Sequence, residues 1–144
     1  MRTFILRGVP GSGKSFLAKQ LAKSRGAVIV SADAYFEGRK IAFNPALIGE
    51  AHASCFRAFL RTASAKRSDI VVDNTNLTAW EISPYYLGSA ALGYDAEILE
   101  VDCDPSVAFA RQTHGVPAHV HKGMAAAFYN ERLPPFWKIT RRAL

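Results

Sequence analysis

Apolar residues along this chain fall into two textures. Short runs dense in Val, Ile, Leu and Phe stand at "TFILRG" (3–8), "AVIVSAD" (27–33) and "DIVVDNT" (69–75). Runs of this length, closed by Gly, Ser, Asp or Asn, read as strands buried on both faces. A fourth run, "YDAEILEVD" (94–102), mixes in polar residues and reads as a strand nearer a sheet edge. The other texture has helical spacing. Phe16, Leu17, Leu21 and Ala22 share one face of residues 15–25. Leu47, Ala51, Cys55, Phe59 and Leu60 do so on a longer helix opened by Asn44 and Pro45. The stretch 78–92 begins with a capping box, Thr78 with Glu81, and Pro84 predicts a kink or break inside it. Asp104 and Pro105 start a helix over 104–112, and Pro117 leads the last one, over 117–132.

Strands alternating with helices predict an α/β fold, a three-layer sandwich around a mostly parallel sheet. Ligands on such sheets bind beyond the carboxyl ends of the strands. Three stretches that follow predicted strands should therefore share one site: Gly8–Ser15, Ser31–Asp33 and Asp73–Asn76. At 144 residues the chain has the size of one domain, 1–144.

The first stretch carries the sharpest chemistry. Gly8, Val9, Pro10, Gly11, Ser12, Gly13, Lys14 and Ser15 complete the pattern G-x4-G-K-[ST], between a predicted strand and a predicted helix. Glycines let backbone N–H groups turn toward a phosphate, and the helix behind offers its positive end. Lys14 can reach β- and γ-phosphates, and the Ser15 hydroxyl can ligate Mg²⁺. A nucleoside triphosphate is the ligand this arrangement predicts.

Asp73, at the end of "IVVD", has the usual place of an acid that organises Mg²⁺. Asn74, Thr75 and Asn76 read equally well as local turn formers. A GTPase switch is disfavoured because no D-x-x-G follows here and no N-K-x-D appears anywhere. Chain length also argues against an AAA+ motor. Asp33 directly follows the second strand, where a carboxylate can orient and deprotonate an acceptor hydroxyl, worth roughly 10²–10⁴-fold in rate. It reads alternatively as a turn or helix-cap Asp.

Charge adds a direction. The net charge is +6, and residues 111–144 hold six Lys/Arg against one acid, Glu131. A basic field of this kind suits a polyanion, with a solvated tail as the plain alternative. Lys122, Arg132, Lys138, Arg141 and Arg142 are the candidate phosphate contacts. Residues 111–123, rich in Gly, Pro and His, read as a closing lid. Arg111 could then neutralise a transferring phosphoryl group. His114, His119 and His121 fit no common zinc spacing and read as exposed lid or substrate-contact residues. Cys55 and Cys103 are far apart, and no secretory cleavage site or membrane-length apolar run is visible. That combination predicts a cytoplasmic protein, in a host cytoplasm if phage-encoded.

"RGVPGSGKS", "SADAYF", "AHASC", "VVDNTNL" and "RQTHGVP", spread over residues 7–117, resemble the polynucleotide-kinase-like P-loop kinases, a group related to zeta toxins and small-molecule kinases. The resemblance implies ATP and Mg²⁺ contacts at Lys14 and Ser15. It also implies a base at Asp33, a metal- or acceptor-side role for Asp73, and a lid arginine at Arg111. Two positions depart from the pattern. Ala34 replaces a second acid, and Phe36 stands near where an arginine would meet the acceptor's phosphate. An aromatic there fits an enzyme that reads a base. The resemblance thus implies an ATP-dependent kinase acting on a hydroxyl of DNA, first the hydroxymethyl of 5-hydroxymethyluracil in phage-type hypermodification. The alternatives are a polynucleotide 5′-hydroxyl kinase, a small-metabolite or zeta-toxin-like kinase, and a nucleotide-binding module without turnover.

Overall fold

The computed structural model describes residues 1–143; Leu144, the end of the expected domain, lies outside them. Five strands form one sheet: β1 (Arg2–Arg7), β2 (Val28–Val30), β3 (Ile70–Asp73), β4 (Asp95–Asp102) and β5 (Ile139–Ala143). Their order is β2-β3-β1-β4-β5, and every pairing is parallel. β1 and β3 are direct neighbours, with Leu6 opposite Asp73. This register sets the glycine loop after β1 beside the acid that ends β3.

The helices are α1 (Lys14–Arg25), α2 (Asp33–Arg39), α3 (Ile48–Ala65), α4 (Ala79–Ala91), α5 (Pro105–Arg111) and α6 (Ala118–Asn130). Strand pleating sorts the core into layers. Ile5, Ile70, Val72 and Ile98 face α3 and α4, meeting Cys55, Phe59, Ala63, Ile82 and Tyr85. Phe4, Leu6, Val71, Leu99 and Val101 face α1 at Leu17 and Ala18. Covered on both sides, the central strands need unbroken apolar runs, which is the texture the sequence shows. α5 and α6 form a third cluster, where Ala108, Ala125 and Phe128 close over Val9 and Leu77.

Several expectations need correction. β4 does lie next to an edge, but β5 covers it, pairing from Ile98↔Ile139 to Asp102↔Ala143. Its buried acids are neutralised from neighbouring strands. Glu97 pairs with Arg2 and Lys138, and Glu100 with Arg7 and Arg141. "ITRRA" reads as a solvated tail in sequence because its pattern is polar; only pairing with β4 makes it a strand. α2 is too short for a helical period to show. Pro84 does not break α4, which runs on to Ala91. The helix expected from Asn44 starts as a 3-10 turn, Pro45–Leu47, capped by the Asn44 side chain, before α3 proper. The capping box at Thr78 and Glu81 and the Asp104 cap are both present.

Candidate active site

The glycine loop leaves β1 and enters α1 through two residues in the left-handed region, Gly11 (φ 84°) and Gly13 (φ 105°). Gly11 is also sterically obligatory, since a Cβ there would sit 1.9 Å from the Ala108 carbonyl oxygen on α5. The loop is clamped from several directions. The Gly8 N–H donates to the Thr75 carbonyl at 3.0 Å. His121, buried on α6, donates from Nε2 to the Pro10 carbonyl at 2.9 Å. Arg111 donates to the Gly11 and Ser12 carbonyls at 3.3 and 3.4 Å and to the Cys103 sulfur at 3.2 Å.

Lys14 lies inside this clamp, 8% exposed, and its ammonium donates to the Val9 carbonyl at 2.9 Å. Burial pushes it down from 10.5 to about 8, against the opposing attraction of Asp73 and Asp33. Among the described residues it has no carboxylate within ion-pair distance. A buried cation with one neutral partner is a site that an anion completes. Ser15 Oγ donates to Asp73 Oδ2 at 3.0 Å. Burial pushes the Asp73 carboxyl up, partly offset by the Ser15 hydrogen bond and the Lys14 charge. A hydroxyl and a carboxylate so placed form a hard-oxygen pair of the kind Mg²⁺ takes. No group of three or more His, Cys, Asp or Glu among the described residues could hold a metal by itself.

Asp33 is the first residue of α2, and its carboxylate is open to solvent. Asn74 fixes that helix start, accepting from the Ala32 N–H at 2.8 Å. Asn76 (φ 47°) donates to the Leu6 carbonyl at 2.7 Å. "DNTN" is therefore a set of ties between strand ends, with Thr75 holding the glycine loop. From the opposite side, His114 Nδ1 approaches Asp33 Oδ2 at 4.0 Å. A cavity of about 220 Å³ runs from Pro10 and the glycine loop past Phe16 to Arg111 and His114.

Asp73, Asp33, Arg111, His114 and the glycine loop through Ser15 thus meet at the carboxyl end of the sheet. The expected lid, 111–123, is mostly helix: only 112–117 are loop, and Gln112 closes it with a hydrogen bond to each of the Val116 N–H and carbonyl. His121 is a buried prop for the glycine loop, not a lid contact; His114 and His119 are exposed. Phe36 does not face an acceptor. It is buried with Ala32 and Ala51, because the core-facing side of α2 is needed to seat it on α3. Arg141 and Lys138 pair with the sheet glutamates Glu100 and Glu97, while their own side chains stay largely exposed. Arg7, the last residue of β1, carries a role that sequence reasoning did not assign. It is buried, pairs with Glu100 at 3.0 Å and donates to the Leu77 and Phe128 carbonyls, bolting β1 to β4 and α6. A charged residue inside an otherwise apolar strand was the available signal.

Human NEDD4-binding protein 2 is 39% identical over 118 residues, which cover 78% of this chain; the chain spans 7% of that protein's length. Among solved structures, a sugar kinase from Janibacter sp. HTCC2649 superposes with a TM-score of 0.65 at 20% identity, covering 99% of this chain and 85% of that one. A chain of the Pnkp1/Rnl/Hen1 RNA repair complex superposes with a TM-score of 0.70 at 17% identity, covering 89% and 43%. These likenesses establish the P-loop kinase-like fold. The family described as AAA domain matches residues 4–129. On that match over most of its length, with a glycine loop built on a kinase-like fold, the chain belongs to the AAA domain family.

Proposed function

We propose that this protein is an ATP-dependent phosphotransferase acting on a hydroxyl group, with a nucleic acid as its acceptor. The observation that carries the reading is the cluster of Lys14 with the Ser15–Asp73 pair, facing an exposed Asp33. Simple nucleotide binding does not require a solvent-facing carboxylate at this place.

The glycine-loop N–H groups and Lys14 would bind the triphosphate. Mg²⁺, held by Ser15 and Asp73, would supply positive charge to the phosphate oxygens. The acceptor oxygen attacks the γ-phosphorus, the bond to the β–γ bridging oxygen breaks, and that oxygen leaves on ADP. Asp33 accepts the proton released from the acceptor hydroxyl. Arg111 already rests on the glycine loop, where a guanidinium can neutralise charge on the transferring group.

Two observations refine the acceptor. An aromatic at Phe36 suited an enzyme that reads a base, and Phe36 is in the core. Arg39 and Lys40, at the end of the helix that Asp33 begins, are exposed cations. We therefore place a 5′-hydroxyl end first, with the base hydroxymethyl group of DNA second. The superposed kinases include both a sugar kinase and a chain of an RNA repair complex, so a metabolite acceptor is the third reading. Transfer from γ-labelled ATP to 5′-hydroxyl oligonucleotides, hydroxymethyl-modified duplex and sugars decides among them. Labelling of sugars alone would overturn the nucleic-acid reading.

A further inference from the structure

α2 and the segment after it carry a feature that phosphoryl transfer does not use. Phe43 is a large aromatic 62% exposed, yet it is not loose. Its ring lies 5.3 Å from that of buried Phe36, tilted by 58°. Phe36 in turn meets Tyr35 edge-on at 5.3 Å. The Arg39 guanidinium lies 3.8 Å over the Tyr35 ring and donates to the Tyr35 carbonyl. The connecting backbone is fixed as well. Lys40 takes the left-handed conformation (φ 54°), the Ile41 N–H donates to the Phe36 carbonyl, and Asn44 caps the turn that follows. Two flat π surfaces, the Phe43 ring and the outer face of Arg39, are thus held in place by a buried ring.

A single exposed aromatic is ordinary; what sets Phe43 apart is that its ring is fixed in solvent beside a guanidinium face, and its neighbours indicate what such a surface suits. Arg39 and Lys40 are exposed cations, and neither forms an ion pair among the described residues. Flat aromatic and guanidinium faces beside unpaired cations are the chemistry that holds single-stranded nucleic acid: bases stack while phosphates meet positive charge. The place also fits. Phe36 is three residues from Asp33 on one helix, a rise of about 5 Å, and Phe43 sits on Phe36. That is the scale of one to two nucleotides from the proposed base.

We propose that Phe43 and the Tyr35–Arg39 pair form a stacking platform for the first bases of a single-stranded acceptor whose terminal hydroxyl reaches Asp33. The inference rests on the nucleic-acid reading above and adds the residues that select a strand over a small hydroxyl compound.

The test separates binding from turnover. Affinity of a dye-labelled single-stranded 5′-hydroxyl oligonucleotide is measured by anisotropy without ATP, for wild type, Phe43→Ala and Phe43→Trp. The same strand lacking its first two bases is measured in parallel. Phe43→Ala should weaken binding roughly tenfold, the size of one lost base stack, and Phe43→Trp should retain it. Wild type should bind the abasic strand more weakly than Phe43→Ala binds the intact one, because both stacks are then lost, and that variant should distinguish the two strands less than wild type does. Affinity for ATP should be the same in all three proteins, which shows that the fold is kept. Equal affinity of wild type and Phe43→Ala, indifference of wild type to the missing bases, or no binding of the strand overturns the platform. If Phe43-dependent binding is found but γ-phosphate transfer to the strand is not, the acceptor reading fails and the platform stands.

Discussion

His121 Nε2 sits 2.9 Å from the Pro10 carbonyl oxygen, so a buried imidazole on α6 holds the outer rim of the glycine loop in place. The contact spans most of the chain, and it makes loop geometry depend on the packing of α6. His121→Ala leaves a buried carbonyl without its donor, a loss of roughly 1–3 kcal/mol in stability. Nucleotide affinity should fall with it, because the loop loses its preset shape. His121→Gln, which keeps an N–H donor, should recover part of both. Thermal melts and ATP titrations of the two variants check this; an unchanged His121→Ala protein would refute it.

Lys14 links nucleotide binding to protons. Its folded value of about 8 lies below the ordinary 10.5. Between these two values the unfolded chain binds the extra proton, so stability of the nucleotide-free protein should rise as pH climbs through that window. The gain should approach about 3 kcal/mol and be absent in Lys14→Met. Triphosphate binding restores the charged form, so ATP binding near pH 8–9 should take up a proton. Calorimetry in buffers of different ionisation enthalpy measures that uptake. Lys14→Met should also abolish phosphoryl transfer while remaining folded.

Asp33 and Asp73 should fail differently. Asp33→Asn should reduce turnover by roughly 10²–10⁴-fold while ATP affinity stays within a few-fold. Asp73→Asn removes the partner of Ser15 Oγ and should raise the Mg²⁺ concentration needed for half-maximal rate. Steady-state rates across a Mg²⁺ series distinguish the two. Equal ATP-binding defects in both variants would count against separate roles.

The basic tail should contribute less to acceptor binding than its charge suggests. Arg141 is held by Glu100 at 3.2 Å, and Arg142 makes no ion pair among the described residues. Neutralising both should lower the slope of log affinity against log salt by no more than about one, while neutralising Arg39 and Lys40 should lower it by up to about two. Oligonucleotide binding at several salt concentrations reads these slopes. A larger effect at the tail would return β5 to the acceptor surface.

The chain's own pattern determined the alternation of buried strands and amphipathic helices and the phosphate loop. It also brought Asp33 and Asp73 to the carboxyl ends of their strands. These are local properties: apolar runs, glycines that must take positive φ, and cap residues act within a few positions of themselves. Tertiary structure decided what depends on distant partners. Three histidines of similar spacing split into one buried prop and two exposed side chains, because only His121 falls on the face of α6 that meets the glycine loop. Of the aromatics after Asp33, Phe36 left its expected place at the acceptor. The side of α2 that packs on α3 took Phe36 into the core, and the turn through Lys40 laid Phe43 over it in solvent. "ITRRA" became a strand because β4 offered an open edge and buried glutamates needed cations, and no short window of sequence contains either fact.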